Sequence, residues 1–430
     1  MAMNTEIAII GAGPYGLSLA AHLRAKGLDF RIFGHPMSFW KDSVPADLPL
    51  KAEGFALNLF EPGRGFTLEK FCQARGYAYA RMGTPVPARV FREYGEAFQK
   101  TCVPELYPFM VTHLSGSEGS FTLRLDNGQV VRAVRVVLAV GIGHFAYMPS
   151  SVARLPREKV SHTFNTVSFG QFSGRRVVVI GAGSSAVDTA YFLHRAGADV
   201  ALYVRRSKIW INHPPQAIRG LKLLLTRLKK PRSGLGTGWR SRMACDFPGV
   251  FHLLPARLRL RITKGHLGPA ASWFTGQAVR EEVPVHLGMA LESATDARDG
   301  LHLKFRNTLT GQLKAVEADH LFAGTGARID LARLPFLSGA LRAAIRTEDN
   351  MPVLSGAFES SVSGLYFIGP AAAGSFGPLL RFAWGARFVA RRLTRHLTRA
   401  NARGRLPLPD GKFVGRQPES TPSQTKCFPL

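Results

Sequence analysis

A strand that runs directly into three spaced glycines and then a helix leaves a chain few ways to fold. Glu6 to Leu23 reads EIAIIGAGPYGLSLAAHL. Ile7 to Ile10 form a short apolar strand. Gly11, Ala12, Gly13, Pro14, Tyr15 and Gly16 follow, and then a helical pattern carrying Leu17, Leu19, Ala20 and Leu23. Gly11 permits the tight turn, Gly13 lets the backbone approach a pyrophosphate, and Gly16 lets helix and strand pack closely. The free N–H groups at the helix start face the anion. The stretch predicts a dinucleotide site at Gly11, Gly13, Pro14, Tyr15 and Gly16.

The same order returns about 170 residues later, too far apart for a solenoid repeat. Arg176 to Ile180 is a strand, Gly181-Ala182-Gly183-Ser184-Ser185-Ala186 the turn, and Asp188, Ala190 and Leu193 lie on the helix. Ala186 stands at the third glycine position, which the fingerprint allows. In each unit a second strand follows, Asp29 to Phe33 and Val200 to Val204. An acid at the end of that strand holds a ribose hydroxyl. The first unit has Gly34-His35 there instead, so its ribose contact lies elsewhere. The second has Arg205-Arg206, which suits a 2′-phosphate held by bidentate hydrogen bonds. The second unit is therefore read as the site of NADPH, with Gly181, Gly183, Ser184, Ser185, Arg205 and Arg206 as contacts.

Between these units, His35 to Gly65 is irregular and too long for a simple connector. Lys51 and Asn58 are its candidate catalytic donors beside a flavin. The alternative for each is a solvated lysine and a turn residue. Trp40 is a candidate cofactor contact or a core residue. Thr67–Ala74 and Val90–Lys100 read as helices, the second with Phe91, Tyr94 and Phe98 on one face. Asp126-Asn127-Gly128 marks a hairpin. Arg135 to Val140 is a buried strand ending at Gly141.

Lys208 to Phe274 interrupts the second unit. From Arg205 to Lys264 the chain has fifteen Lys and Arg against one acid, Asp246. Leu221–Leu228 and Ala256–Ile262 read as basic amphipathic helices. The insert is either a lid over NADPH, with His213-Pro214-Pro215 and Trp239-Arg240 as lid contacts, or a segment (208–264) that touches an anionic membrane. Beyond it, Val283–Leu287, Leu301–Phe305 and Leu313–Val316 are strands. Ala318–Ala323 delivers the chain to Gly324-Thr325-Gly326, and Gly364–Gly369 is a last buried strand. Gly374 to Gly377 reads as a turn, and a helix runs from Pro378 through Leu397 with its N-terminus toward a flavin carbonyl. From 401 to 430 the chain is polar, proline-rich and expected to be disordered.

Composition narrows the class. The chain is 430 residues with net charge +27. That charge fits a nucleic-acid or membrane partner, or an arginine-rich protein that handles anionic ligands. The absence of a nucleic-acid-binding motif favours the last, so no specific nucleic acid is expected. No apolar run is long enough to span a bilayer, and the N-terminus has no signal-peptide pattern. Cys72, Cys102, Cys245 and Cys427 are scattered without a CxxC pair, which argues against a dithiol centre or a zinc ribbon and predicts no metal. A cytoplasmic, reducing setting is expected.

These motifs together resemble the two-dinucleotide-binding-domain flavoproteins. GAGPYG at Gly11–Gly16 is similar to their FAD turn and GAGSSA at Gly181–Ala186 to their NADPH turn. AGTG at Ala323–Gly326 and GLYFIG at Gly364–Gly369 are similar to the turn and strand that return the chain to the FAD domain. Within that group the chain resembles flavin-containing monooxygenase-like enzymes, including FAD-dependent urate hydroxylases and amino-acid N-hydroxylases. Phe39-Trp40 stands where those carry a GGxW-like element, and His162 where their FxGxxxHxxx(Y/W) signature has its histidine. Pro156, Glu158 and Thr166 depart from that signature.

The resemblance implies an α/β fold with two Rossmann-like domains, the second inserted in the first, and a basic helical lid. The FAD-binding domain would take 1–172 and 318–400, and the NADPH-binding domain 173–317 with the lid at 208–278. It also implies FAD and NADPH as cofactors, with Gly326, Gly369 and Gly377 beside the FAD. The implied reaction is hydroxylation of a small anionic or nitrogen-containing metabolite with molecular oxygen, through a flavin C4a-hydroperoxide. Two alternatives stay open: an NADPH-dependent flavoprotein reductase, and a basic membrane-associated flavin-binding module. The oligomeric state is left open.

Overall fold

The apolar run that opens the chain becomes the centre of a sheet. A computed structural model describes residues 3–165, 168–212, 229–266 and 270–403. Strand β1 (Met3–Ile10) is fully buried from Ile7 onward and enters helix α1 (Pro14–Arg24) through the glycine turn. β2 (Phe30–Phe33) pairs parallel to it. Helices α2 (Ser38–Asp42), α3 (Leu68–Arg75) and α4 (Ala88–Cys102) follow, and α4 buries Phe91, Tyr94 and Phe98 as its spacing predicts. β3 (Leu106–Tyr107), β4 (Val111–Ser117), β5 (Ser120–Leu125) and β6 (Val130–Leu138) complete the sheet's first pass, in the order β3-β2-β1-β6-β5-β4.

Strand β6 joins two expected segments, the second arm of the hairpin and the buried run after it. One edge pairs parallel with β1 throughout. The other edge changes partner. It is antiparallel to β5 over Val130–Ala133 and parallel to β15 (Leu365–Phe367) over Val136–Leu138. The early half therefore alternates and the late half is buried on both faces. Arg135, at the change, is buried and ion-paired to Glu6 at 2.5 Å.

The second sheet is all parallel. β7 (Val160–His162), β8 (Arg176–Ile180), β9 (Asp199–Val204), β10 (Val285–Leu287) and β14 (His320–Ala323) pair in the order β10-β9-β8-β14-β7. Alternate residues of β8 feed two cores. Val177 and Val179 pack with helix α5 (Ser184–Arg195) and with Val279 of α9 (Trp273–Glu282). Val178 and Ile180 face the antiparallel meander β11 (Met289–Ala297), β12 (Gly300–Asn307) and β13 (Leu313–Ala318). Tyr203 stacks on Phe305 there at 4.0 Å. Between β9 and α9 lie α6 (Trp239–Asp246), α7 (Pro248–Phe251) and α8 (Ala256–Gly265). The chain returns to the first sheet at β15 and ends in α10 (Ala386–Arg403), which buries Val389, Leu393 and Leu397 and packs on α1.

Four expectations change. Val160–His162 and His320–Ala323 were assigned to the first domain, yet both are strands of the second sheet. Gly374–Gly377 is not a simple turn: Ala373–Phe376 is a single helical turn. The helix expected from Pro378 starts only at Ala386. Before it come two 3-10 turns, Pro378–Arg381 and Ala383–Gly385, separated by an extended Phe382. The reason is a side chain. Tyr15 donates its hydroxyl to the carbonyls of Leu380 and Phe382, at 3.0 and 2.7 Å, where a continuous helix would use them internally. Asn401–Arg403, expected to be disordered, form the last turn of α10. Thr166, His213–Pro215, Leu221–Leu228 and the remainder of the tail lie outside the described residues.

Candidate functional site

Each glycine of the first turn meets a different steric demand. Gly11 has φ 113, and a Cβ there would lie 2.4 Å from the carbonyl oxygen of Ala139. A Cβ on Gly16 would lie 1.9 Å from the carbonyl oxygen of Gly11. Gly13 has nothing within 4 Å of its Cβ position, so that side is open. Gly13 also caps α1 without a side-chain hydrogen bond, and no acid lies in the first helical turn. Unmatched N–H groups therefore face the open side, the environment a pyrophosphate needs. Pro14 opens the helix, where its missing N–H costs nothing. Tyr15 points the other way. It is buried, burial pushes its phenol well above the ordinary range, and its hydroxyl ties α1 to the segment after Pro378. Its side chain is a tether, while its backbone N–H lies in the first turn of α1.

The second turn repeats this geometry with one exchange. A Cβ on Gly181, φ 140, would lie 2.3 Å from the carbonyl oxygen of Gly324. Gly324 thus stands where Ala139 stands in the first unit. A Cβ on Gly324 would fall 2.4 Å from that of Ala186. The first unit places its methyl on the strand end (Ala139) and glycine on the helix (Gly16). The second has glycine on the strand end and the methyl on the helix (Ala186). Helix α5 starts at Ser184 with Gly183 as its cap, no side-chain cap and no acid in its first turn.

Asp188, one turn into α5, was not singled out as a site residue. Its carboxylate accepts from Ser184 Oγ and Thr275 Oγ1, both at 2.6 Å. Burial raises its pKa, while Ser184, Thr275 and Lys51 act in the opposite direction. The signal was present: an acid on a helix whose neighbours Ala186, Val187, Ala190 and Leu193 are all buried. Lys51, from the first unit, donates to the carbonyl of Ala270 at 2.5 Å and is drawn electrostatically to Asp188, while desolvation lowers its pKa. Lys51 is thus a strut across the cleft between the two units. Asn58 is engaged locally at both ends of its amide: it donates to Phe55 O at 3.0 Å and accepts from Leu68 N, the first residue of α3, at 2.8 Å. Trp40 packs edge-on against Phe91 at 4.8 Å and Phe39 at 6.2 Å, as a core residue does.

The remaining expected contacts divide. Gly141 and Gly326 have φ of 67 and 76 and open space at their Cβ positions. A Cβ on Gly369 would meet Tyr15 at 3.3 Å, and one on Gly377 would meet Phe251 at 3.0 Å. Both also have positive φ, 71 and 88, so backbone and packing together favour glycine at these two positions. Arg205 and Arg206 follow β9 directly, are exposed, and make no ion pair among the described residues. Ser185 lies in the first turn of α5. Asp299, His302 and Glu317 bring ligand atoms within 4.8 Å of one another, but Arg176 pairs with Glu317 and donates to Asp299 O, so they read as a surface ion network.

His162 orients the Gly324–Gly326 turn. Its Nε2 donates to Gly326 O and its Nδ1 accepts from Phe164 N, both at 3.1 Å. Phe164 in turn packs on Phe39 across the cleft at 5.5 Å. Burial holds His162 at a pKa of about 4, and does the same for His320 with help from Arg175. Both folded values lie below the ordinary 6.5, so between these pH values the unfolded chain binds more protons. Stability is full above about pH 6.5 and declines as pH falls toward 4, by up to about 3 kcal/mol per histidine. Urea unfolding at pH 7.5 and 5.0 checks this: His320→Asn should show a smaller loss between the two than the parent chain.

The insert closes over the first unit's C-terminal segment. Thr263 Oγ1 donates to Ala373 O at 3.2 Å, and Arg381 donates to Thr263 O and His266 O at 3.2 and 3.3 Å. His252 Nδ1 lies 3.3 Å from Ser375 O, and Lys264 pairs with Asp349 at 2.6 Å. A hairpin, Arg232–Thr237, presses Gly234 against Trp384, which also packs edge-on against Phe55 and Phe60. Beside Trp384 is a cavity of about 270 Å³ lined by Phe55, Arg81, Met82, Arg232, Gly234 and Asp246. Neither Trp384 nor Arg381 stood out in the sequence, because both lie inside the pattern read as one continuous helix.

Known proteins share this arrangement. A family model described as pyridine nucleotide-disulphide oxidoreductase matches residues 88–224. A ferredoxin–NADP reductase of Acidiphilium cryptum is 35% identical over 284 residues, 63% of this chain and 76% of that protein. An FAD-dependent urate hydroxylase of Xanthomonas campestris is 27% identical over 323 residues, 70% of this chain and 66% of that protein. The solved structure of an ornithine N-hydroxylase from Kutzneria sp. 744 superposes with a TM-score of 0.75 at 14% identity, covering 93% of this chain and all of that one.

Proposed function

Because the chain belongs to the pyridine nucleotide-disulphide oxidoreductase family, flavoenzymes that use FAD and NADPH, we propose that it is a monooxygenase acting on a small anionic or nitrogen-containing metabolite. The observation that carries this reading is the insert fastened over residues 373–381, through Thr263 to Ala373, His252 to Ser375 and Arg381 to Thr263, and to Asp349 through Lys264. Inserting one oxygen atom requires water to be kept from the reacting centre. A reductase that serves a protein electron carrier needs the opposite, a flavin edge open to the surface.

FAD supplies the two-electron chemistry between NADPH and dioxygen, and one substrate, one O2, one NADPH and one proton give hydroxylated substrate, NADP⁺ and water. The chain's residues bind, orient and exclude. The N-termini of α1 and α5 offer unmatched N–H groups to the two pyrophosphates. Arg205 and Arg206, exposed directly after β9, would hold the 2′-phosphate. Lys51 holds the two units together through Ala270. Arg81 and Arg232, beside the cavity at Trp384, offer charge to an anionic substrate, while Asp246 in the same lining is paired with Arg242.

The second reading, a flavoprotein reductase without oxygenation, is favoured by the identity to ferredoxin–NADP reductases. A dithiol variety is disfavoured because the sequence has no CxxC pair. A screen of amines, amino acids and purines separates the two. The monooxygenase should oxidise NADPH about tenfold faster or more with its substrate and transfer one atom of labelled O2 to it. If no compound stimulates NADPH use, while an artificial electron acceptor is reduced rapidly, the reductase reading replaces it.

A further inference from the structure

Helices α6 and α7 bury one face and expose large apolar side chains, with Arg240, Arg242 and Asp246 among them, on the other. Ser241, Ala244, Cys245, Pro248 and Phe251 face inward and are buried. Exposed to solvent are Trp239 and Met243 on α6, Phe247 at the break between the helices, Val250 on α7 and Leu253 just past it. Each is more than half exposed, from 51% at Phe247 to 80% at Leu253. Single exposed apolar side chains are ordinary on a protein surface, but five large ones between Trp239 and Leu253 are not. The outward face of a surface helix is normally its polar one.

These side chains are bordered by cations. Arg242 lies over the Trp239 ring at 5.8 Å. An Arg392 guanidinium nitrogen lies 3.4 Å from the Cβ position of Gly249, the residue before Val250. Between α7 and α10 runs a cavity of about 400 Å³ lined by Pro248, Arg387, Arg391 and Arg395. Residues 229–266 contain nine Lys and Arg and a single acid, Asp246, which is paired with Arg242 at 3.3 Å. An exposed set of aromatic and aliphatic side chains with arginines among and beside them matches the boundary of an anionic bilayer, where apolar groups enter the acyl edge and guanidinium groups meet phosphates. Leu253 projects outward, and a fluid lipid surface accepts projecting side chains without pockets shaped to them. A second copy of this +27 chain would be repelled.

We propose that the α6–α7 face docks the protein on an anionic phospholipid surface, peripherally. Among the described residues no helix is long and apolar enough to cross a membrane. This inference is independent of the reaction proposed above.

The test uses the full chain with FAD added. Sedimentation with vesicles of phosphatidylglycerol and phosphatidylcholine, against phosphatidylcholine alone, should show at least tenfold tighter binding to the anionic vesicles at 150 mM salt. The triple variant Trp239→Ser, Phe247→Ser, Leu253→Ser should lose at least tenfold of that affinity. Leu309→Ser, at an 83% exposed position in the β12–β13 turn, should lose none. Flavin content and thermal melting confirm that each variant is folded. If the triple variant sediments like the parent, the attraction is only the general charge of the chain and the docking face is refuted. Failure of the parent chain to prefer anionic vesicles refutes it equally.

Discussion

Gly13→Ala and Gly16→Ala are both expected to abolish FAD retention, but only the second should also destabilise the apoprotein. At Gly13 the backbone is extended, φ −87 and ψ −171, and nothing lies within 4 Å of the Cβ position. Alanine fits the protein there without strain. Its methyl instead takes the space left for the pyrophosphate, and lost N–H contacts to an anion cost about 1.5–3 kcal/mol each. Affinity for FAD should fall by roughly a hundredfold or more on that basis. At Gly16 the methyl would lie 1.9 Å from Gly11 O, a backbone atom that no side-chain rotation can clear. Strand and helix must move apart, and overpacking of this kind costs typically about 1–3 kcal/mol in the apoprotein, with more where backbone must shift. Flavin-to-protein absorbance after gel filtration reads the first effect, and melting of the stripped protein reads the second. Ala186→Gly in the other unit should melt no more than a few degrees lower, since it removes a methyl already accommodated by Gly324 and costs about 1 kcal/mol of helix propensity. Wild-type flavin content in Gly13→Ala would show that the pyrophosphate does not approach there.

The two glycine turns were legible because strand, glycines and helix are consecutive in the chain, even though the atoms that Gly11 and Gly181 must clear, on Ala139 and Gly324, come from distant strand ends; the same solution is written twice with Ala139/Gly16 and Gly324/Ala186 exchanged. Features that depend on a distant partner were not legible. Nothing in Val130–Leu138 announces that one strand edge changes from β5 to β15, because β15 lies more than two hundred residues away. The break at Phe382 is set by the hydroxyl of Tyr15, 367 residues earlier, and no helix signal near Pro378 contains it. Val160–His162 was too short for periodicity to register and owes its place to pairing with β14.

Single polar residues were the least legible of all. Lys51 and Asn58 looked alike in an irregular stretch, yet one reaches across the cleft and the other caps its own local helix. Only the three-dimensional path distinguishes them. Asp188 was the opposite case: its burial among apolar neighbours was written in the α5 pattern, but its partner Thr275 comes from beyond the insert. The acid missing at Gly34 remains a real feature of the first unit. Gly34 has φ 119 and donates its N–H to Tyr107 O, so the strand end is shaped by the neighbouring β3 and offers no carboxylate to a ribose.

Replacing Arg205 and Arg206 together by alanine is expected to erase the preference for NADPH over NADH. Both follow the last residue of β9, at the position where an acid would select a free 2′-hydroxyl. Both are exposed and make no ion pair among the described residues, so their charges are available to a ligand. The next cation, Lys208, sits 3.8 Å over the Trp210 ring and is engaged there. A guanidinium pairs with phosphate in a planar, two-pronged way, and each such charge-assisted bond contributes about 1.5–3 kcal/mol. Exposure and salt reduce that, so the pair should be worth roughly a hundredfold in kcat/KM for NADPH. NADH has no 2′-phosphate, and its kcat/KM should stay within about twofold on the same argument. Anaerobic flavin reduction followed at several coenzyme concentrations gives both numbers. Ionic strength adds an independent readout: the parent's affinity for NADPH should weaken with salt, and the variant's dependence should flatten toward that of NADH. A double variant that keeps the parent's NADPH-to-NADH ratio would show that these arginines are surface charges only. The 2′-phosphate would then be held by another part of the chain.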